Sequence, residues 1–215
     1  IDYMKMVRDV VVLPEKGTAI ADPERPEMRA VITVSNEKHS GAVSWPELLT
    51  ASGGVEDDAL ATRAAAVDPD DPVFFMYTSG TTGFPKGAVH THNLLRLIVF
   101  RAKHMTMSEN DVILNYLPLF HLFGFSEGAL MSMVSGAKQV LTATFDPSEC
   151  IQLAEREGAT IMHGFETHLK EMVEAQQRNH CDISTLRTGI FAAGMQSAVP
   201  IFKRALEVFP TMRTV

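Results

Sequence analysis

Val73-Phe74-Phe75-Met76-Tyr77-Thr78-Ser79-Gly80-Thr81-Thr82-Gly83-Phe84-Pro85-Lys86-Gly87-Ala88-Val89-His90 is the stretch from which the rest of the chain can be read. The run Val73–Tyr77 predicts a buried strand, and Gly87–His90 a second short strand. Thr78–Lys86 is then a loop with a particular composition. Its glycines allow positive φ and a close approach of backbone to an anion. Successive N–H groups in such a turn make a concave nest for phosphate oxygens. The hydroxyls of Thr78, Ser79, Thr81 and Thr82 add donors without charge, and Lys86 adds a point charge suited to phosphate. The loop is not a Walker A loop, because that pattern needs glycine directly before the lysine and Pro85 stands there. A flexible Ser/Thr/Gly surface linker is the bland alternative. A framing apolar strand and a closing Pro-Lys-Gly argue against it.

Working outward, strand and helix signals alternate. Val10–Leu13 and Ala30–Val34 read as short buried strands, Trp45–Ala51 as a helix with Pro46 in its first turn, and Asp58–Ala66 as a short helix in an acidic connector. After the loop, Thr91 reads as the cap of a helix with a seam of Leu94, Leu97 and Ile98. Val112–Leu117 is the next strand, closed by Pro118. Lys138–Leu141 is another. Asp146, Pro147 and Glu149 spell a helix start, and Gly158 a stop. Thr160–His163 and Thr188–Ala192 read as strands. Leu169, Met172, Val173 and Gln176 mark one helix, and Val199, Phe202 and Leu206 another. The fold class is therefore α/β, with a largely parallel sheet flanked by helices.

Composition sets the outer bounds. The chain has 215 residues, 46% of them hydrophobic and 21% charged, as in an ordinary globular protein. Its formal net charge of −7 argues against a nucleic-acid surface. Cys150 and Cys181 are too few for a disulfide framework; they read as small buried hydrophobes and fit a reducing, cytoplasmic compartment. The apolar runs fall short of the roughly 20 residues that span a bilayer. Met105, Met107, Met131 and Met133 read as core filler. His90 and His92 alternate, but without an evident third ligand they do not make a metal site.

The string Tyr77–Gly87 resembles the signature of the adenylate-forming (AMP-binding) superfamily, which includes acyl-CoA and aryl-CoA synthetases, luciferases and peptide-synthetase adenylation domains. Ala88–Leu94 resembles the passage that follows that loop in the family. Leu117-Pro118-Leu119-Phe120-His121-Leu122-Phe123-Gly124 is similar to the family's Pro-x-Phe-His-x-x-Gly segment, most like that of fatty-acid and coumarate CoA ligases. The resemblance implies that Thr78, Ser79, Gly80, Thr81, Thr82, Gly83, Phe84, Pro85 and Lys86 hold the phosphates of ATP. It also implies that His121 faces nucleotide and acid; a core or helix-capping histidine is the other reading. Leu186–Met195 resembles the strand and turn that wall the acyl pocket, with Ala193 and Gly194 as the small residues beside the substrate. An ordinary strand-to-helix turn would need small residues too. His163-Gly164-Phe165-Glu166-Thr167 stands where relatives often carry Val-Pro-Thr, and its missing proline and its glutamate carry no substrate role across.

What the resemblance implies as a whole is an AMP-forming acid–thiol ligase. It would use ATP with Mg²⁺, a fatty or aryl carboxylic acid, and coenzyme A as co-substrate. Relatives continue with a Tyr-Gly-x-Thr-Glu segment and a small C-terminal domain with a catalytic lysine. This sequence starts at Ile1 and ends at Val215 without either. It therefore reads as an incomplete segment of the large domain, with residues 1–71 an upstream portion and connector and 72–215 the phosphate loop and βα units. Such a segment is expected not to turn over alone. The competing reading is a non-catalytic nucleotide- or phosphate-binding module that retains the loop.

Overall fold

A computed structural model describes residues 2–80, 83–194 and 198–214. The chain divides into two units, residues 1–67 and 68–215. In the first, helix α1 (Tyr3–Val10) is capped by Asp2, whose carboxylate accepts from the Lys5 N–H. This overturns the strand expected at Val10–Leu13: a short apolar run carries no period that separates strand from helix end. The strand expected at Ala30–Val34 shrinks to β1 (Ile32–Thr33), paired in parallel with β2 (Val43–Ser44). Helix α2 (Trp45–Ser52) begins as expected, and the Glu47 carboxylate accepts from both the N–H and the hydroxyl of Ser44. Helix α3 is Asp57–Ala65.

The second unit holds the loop. Strands β3 (Pro72–Thr78) and β4 (Lys86–Thr91) form an antiparallel hairpin. Helix α4 is Leu94–His104. Strand β5 (Val112–Asn115) leads to a π-helix, Gly124–Leu130, continued by α5 (Met131–Ser135). Then come β6 (Lys138–Leu141), α6 (Pro147–Glu157), β7 (Ile161–Met162), β8 (Gly164–Phe165), α7 (Glu166–Arg178), β9 (Thr188–Gly189), β10 (Phe191–Ala192), α8 (Val199–Val208) and β11 (Arg213–Thr214). Five strands make one all-parallel sheet in the order β11-β9-β7-β5-β6.

Both faces of this sheet are buried, and strand alternation divides the core. Ile113 and Ile161 pack with Ile98, Ala102, Met105 and Met131, from α4, the turn after it and α5. Leu114 and Met162 pack on the other face with Ile151, Leu169, Met172 and Ala205, from α6, α7 and α8. Helices on both faces are what parallel strands require. Helix α6 has the boundaries the sequence spells: Asp146 accepts from the Glu149 N–H at 2.8 Å, and Gly158 closes it at φ 65°. Cys150 and Cys181 are buried free thiols, and burial pushes the Cys150 thiol up to about 12.

Several expectations need correction. Val73–Tyr77 is a strand but not a buried one: Phe74 and Met76 are half-buried, while Val73, Phe75 and Tyr77 are exposed. Thr91 does not cap α4. It stays paired with Pro72 at the end of the hairpin, and Asn93 takes the cap position, its side-chain amide donating to Asp70. The buried stripe of α4 is Ile98 and Ala102, one turn apart, whereas Leu97 is exposed. In α8, Ala205 is buried while Val199 and Leu206 are exposed. Met133 is 76% exposed and fills no core. The strand expected over Thr188–Ala192 is two pieces, β9 in the large sheet and β10 paired with β8. The helical stretch Gly124–Ser135 carried no expectation.

Candidate active site

Among the residues expected to hold phosphate, Thr78 and Lys86 face each other as the last pair of the hairpin. The Thr78 hydroxyl donates to the Lys86 carbonyl at 3.5 Å. Gly80 and Gly83 have φ of 57° and 84°, the left-handed region for which glycine suits. A Cβ on Gly80 would also collide with the carbonyl of Phe84, so the turn folds back on itself there. Ser79, Phe84, Pro85 and Lys86 are exposed, and Lys86 forms no ion pair among the described residues. Thr81 and Thr82 lie outside the described residues. The inner face of the hairpin rests on the π-helix through Phe74, whose ring meets Phe125 edge-on at 5.3 Å.

The segment Leu117–Gly124 lies beyond the carboxyl end of β5, where open α/β sheets place ligands. Buried Asn115 ties it down: its Oδ1 accepts from the Leu117 N–H, and its Nδ2 donates to the Gly124 carbonyl. Gly124 is required, since a Cβ there would strike the carbonyls of Leu117 and Pro118. His121 is exposed. Its N–H donates to the Pro118 carbonyl, and its Nδ1 accepts from the Phe123 N–H at 3.2 Å. The capping contact engages Nδ1 and leaves the neutral ring's proton on Nε2, which is a donor aimed away from the cap. The two readings of this histidine are thus compatible: one nitrogen caps, and the other is available to a ligand.

Ala193 and Gly194 follow β10 and are exposed; a Cβ on Gly194 would meet nothing within 4 Å. Gly189, by contrast, lies where a Cβ would collide with the Met162 carbonyl. Met195, the last residue of that resemblance, is outside the described residues. On the other flank of Pro118–Phe120 lies an open hollow of about 530 Å³, lined among others by Tyr116, Thr142, Phe145 and His168.

Two further polar side chains are buried in this unit. His163 is 3% exposed, and its Nδ1 accepts from the Ile190 N–H at 3.1 Å. Burial first, and the charge of Arg101 second, push its imidazole down to about 3, so it is neutral at ordinary pH. Glu127, on the π-helix, is 1% exposed and holds Arg101 at 2.6 Å and the Ser126 hydroxyl at 3.0 Å through Oε1. Burial raises its carboxyl, opposed by Arg101. The rings of Phe123 and His163 are tilted to one another with centres 6.4 Å apart, and Phe165 meets Phe123 edge-on at 5.3 Å. The His-Gly-Phe-Glu-Thr departure is the visible signal for His163.

A parallel sheet covered on both faces, an exposed Ser/Thr/Gly hairpin and a histidine beyond β5 define an α/β domain. The family model described as AMP-binding enzyme matches residues 7–215, and the chain belongs to that family. It is 33% identical over 177 residues to a 3-[(3aS,4S,7aS)-7a-methyl-1,5-dioxo-octahydro-1H-inden-4-yl]propanoyl:CoA ligase of Mycobacterium tuberculosis, covering 82% of this chain and 34% of that protein. It is 31% identical over 195 residues to the acyl-CoA ligase sidI of Aspergillus fumigatus, covering 90% and 32%. Among solved structures, the O-succinylbenzoate coenzyme A synthetase of Bacillus subtilis in complex with AMP is 29% identical, with a TM-score of 0.57 over 66% of this chain and 35% of that one. The chain spans about a third of the length of these curated relatives. Among the described residues, no helix is long and apolar enough to cross a membrane.

Proposed function

We propose that this chain is the phosphate-gripping part of an ATP-dependent, AMP-forming acyl-CoA synthetase. The observation that carries the proposal is the exposed hairpin loop, closed by the Thr78–Lys86 pair, in a chain of the AMP-binding enzyme family. A carboxylate is a poor acyl donor because oxide is a poor leaving group. In the proposed reaction it attacks the α-phosphorus of ATP, pyrophosphate departs, and the acyl-adenylate passes its acyl group to the thiol of coenzyme A with release of AMP. Charge grows on the departing pyrophosphate and on the α-phosphoryl oxygens, and preorganised donors there lower the barrier. Backbone N–H groups at Gly80 and Gly83, the hydroxyl of Ser79, and Lys86 supply such donors; the Thr78 hydroxyl, which donates to the Lys86 carbonyl at 3.5 Å, would turn from it to join them. Nε2–H of His121 serves the acid or the α-phosphate.

Magnesium would accompany the phosphates, supplying charge neutralisation. The loop hydroxyls are hard oxygen donors of the type it accepts. Among the described residues, no group of three His, Cys, Asp or Glu side chains that could hold an ion gathers. Carboxylate-dependent exchange of pyrophosphate into ATP by the full-length protein, across a panel of acids, tests the proposal. Exchange with at least one fatty or aryl acid, lost in Lys86→Ala, is the expected result. No exchange with any acid would sink it.

A further inference from the structure

Asn115 is the last residue of β5, a strand paired on both sides, with β6 and with β7. It is 4% exposed. A polar side chain at that depth needs its hydrogen bonds made, and both ends of this amide spend them on the segment that carries His121. Oδ1 accepts from the Leu117 N–H at 3.1 Å, and Nδ2 donates to the Gly124 carbonyl at 3.3 Å. One side chain, rooted in the parallel sheet, thus closes the mouth of the loop Leu117–Gly124. The π-helix that follows is shaped to it. A Cβ on Gly124 would strike the Leu117 and Pro118 carbonyls, and a Cβ on Gly128 would strike the Asn115 amide. Neither glycine has a positive φ, so it is space and not backbone conformation that excludes a side chain there. Such wide helical turns are frequent at functional sites.

His121 takes its place from this loop. Its N–H donates to the Pro118 carbonyl at 3.1 Å, and its carbonyl accepts from the Phe125 N–H at 3.0 Å. Its Nδ1 accepts from the Phe123 N–H at 3.2 Å. These partners all lie within four residues of it, and the ring itself is exposed. The loop therefore fixes the ring relative to itself, and Asn115 fixes the loop relative to the sheet. Resting on the synthetase reading above, we infer that Asn115 is a positioning residue for adenylate formation: it sets the place of the His121 Nε2–H donor by holding both ends of its loop. Asn115 touches neither acid nor nucleotide in this scheme and acts only through His121. A displacement of about 1 Å in a positioned group costs a reaction about 10²-fold. Supporting residues on rigid elements are what prevent it.

The test uses the full-length protein and pyrophosphate exchange with the acid that supports it best, acid and ATP both saturating. Asn115→Asp keeps the Oδ1 acceptor and sets an oxygen against the Gly124 carbonyl in place of the donor. It should lower kcat by about 10–100-fold. In a His121→Ala background the same change should lower kcat by less than about twofold, because residues that act through one another are not additive. Gly128→Ala makes the same comparison with Asn115 unaltered. Alanine favours the helix but displaces the amide, and the resulting loss should likewise vanish without His121. This variant decides the matter if Asn115→Asp does not fold. Equal losses with and without His121 would show that Asn115 serves the fold alone and would overturn the inference. An unchanged kcat in either folded variant would overturn it too, and the synthetase reading would stand in both cases. No exchange by the unaltered protein with any acid would overturn both readings.

Discussion

The hairpin β3–β4 and the parallel sheet use apolar residues in opposite ways. In the sheet, neighbours Ile113 and Leu114 face opposite sides and both are buried, as are Ile161 and Met162. In the hairpin, Phe74 packs on Phe125 while Phe75 and Val89, directly opposite each other on the other face, lie open. Packing therefore dictates the sheet residues. The hairpin and its loop are held mainly by their own backbone pairing and one face. This leaves the Ser79 hydroxyl and the Lys86 ammonium open to solvent.

Substitutions on either side should separate these roles. The largest effect should come from the sheet side. Leu169→Ala empties a fully buried position against β7, and should cost about 2–5 kcal/mol in urea unfolding. A loss below about 1 kcal/mol would mean that the sheet is not the stability centre. Next, Lys86→Ala in the full-length protein should lower exchange by about 10²–10³-fold. Its urea midpoint should not change, because Lys86 is exposed.

The third concerns pH. His163 is held neutral, at about 3 against an ordinary 6.5. Between these values the unfolded chain binds the extra proton and the folded one does not. Stability should therefore be full above about 6.5 and fall as pH drops toward 3, with a slope of up to about 1.4 kcal/mol per pH unit from this group. Denaturant midpoints at several pH values check it, and His163→Asn should flatten that part of the curve. Asp146→Ala, removing the cap of α6, should cost about 1 kcal/mol by the same assay. Smallest of all, Phe75→Ala in this chain should change stability by no more than about 0.5 kcal/mol, since its ring is 58% exposed. A larger loss would show that the hairpin is packed like the sheet, and the contrast would fail.

Much of the framework was legible in the residues. Asp146, Pro147 and Gly158 marked α6 at both ends because caps are local chemistry, satisfied within one turn. Leu169, Met172, Val173 and Gln176 found the buried face of α7 because a helix of that length repeats its period several times. Short runs carried no such period. Val10–Leu13 was indistinguishable from a helix end, and Thr188–Ala192 from a single strand. What splits the latter is Ile190, whose N–H turns to His163, a contact across 27 residues. At the site, the hydroxyls, glycines and lysine of the loop were visible because one continuous stretch carries them. Glu127 and Arg101 come from the π-helix and α4, and His163 from the break between β7 and β8, so no local spacing announces their burial.

The sequence by itself determined the α/β alternation, the Ser/Thr/Gly loop between the two hairpin strands and the family. Each rests on neighbours in the chain, whose spacing is its own geometry. Only the tertiary structure decided which face of the hairpin stays open and which nitrogen of His121 remains available. It alone also brought Arg101 onto Glu127 and the Ile190 N–H onto His163. These are matters of burial and of long-range partners, which exist only once distant segments have packed.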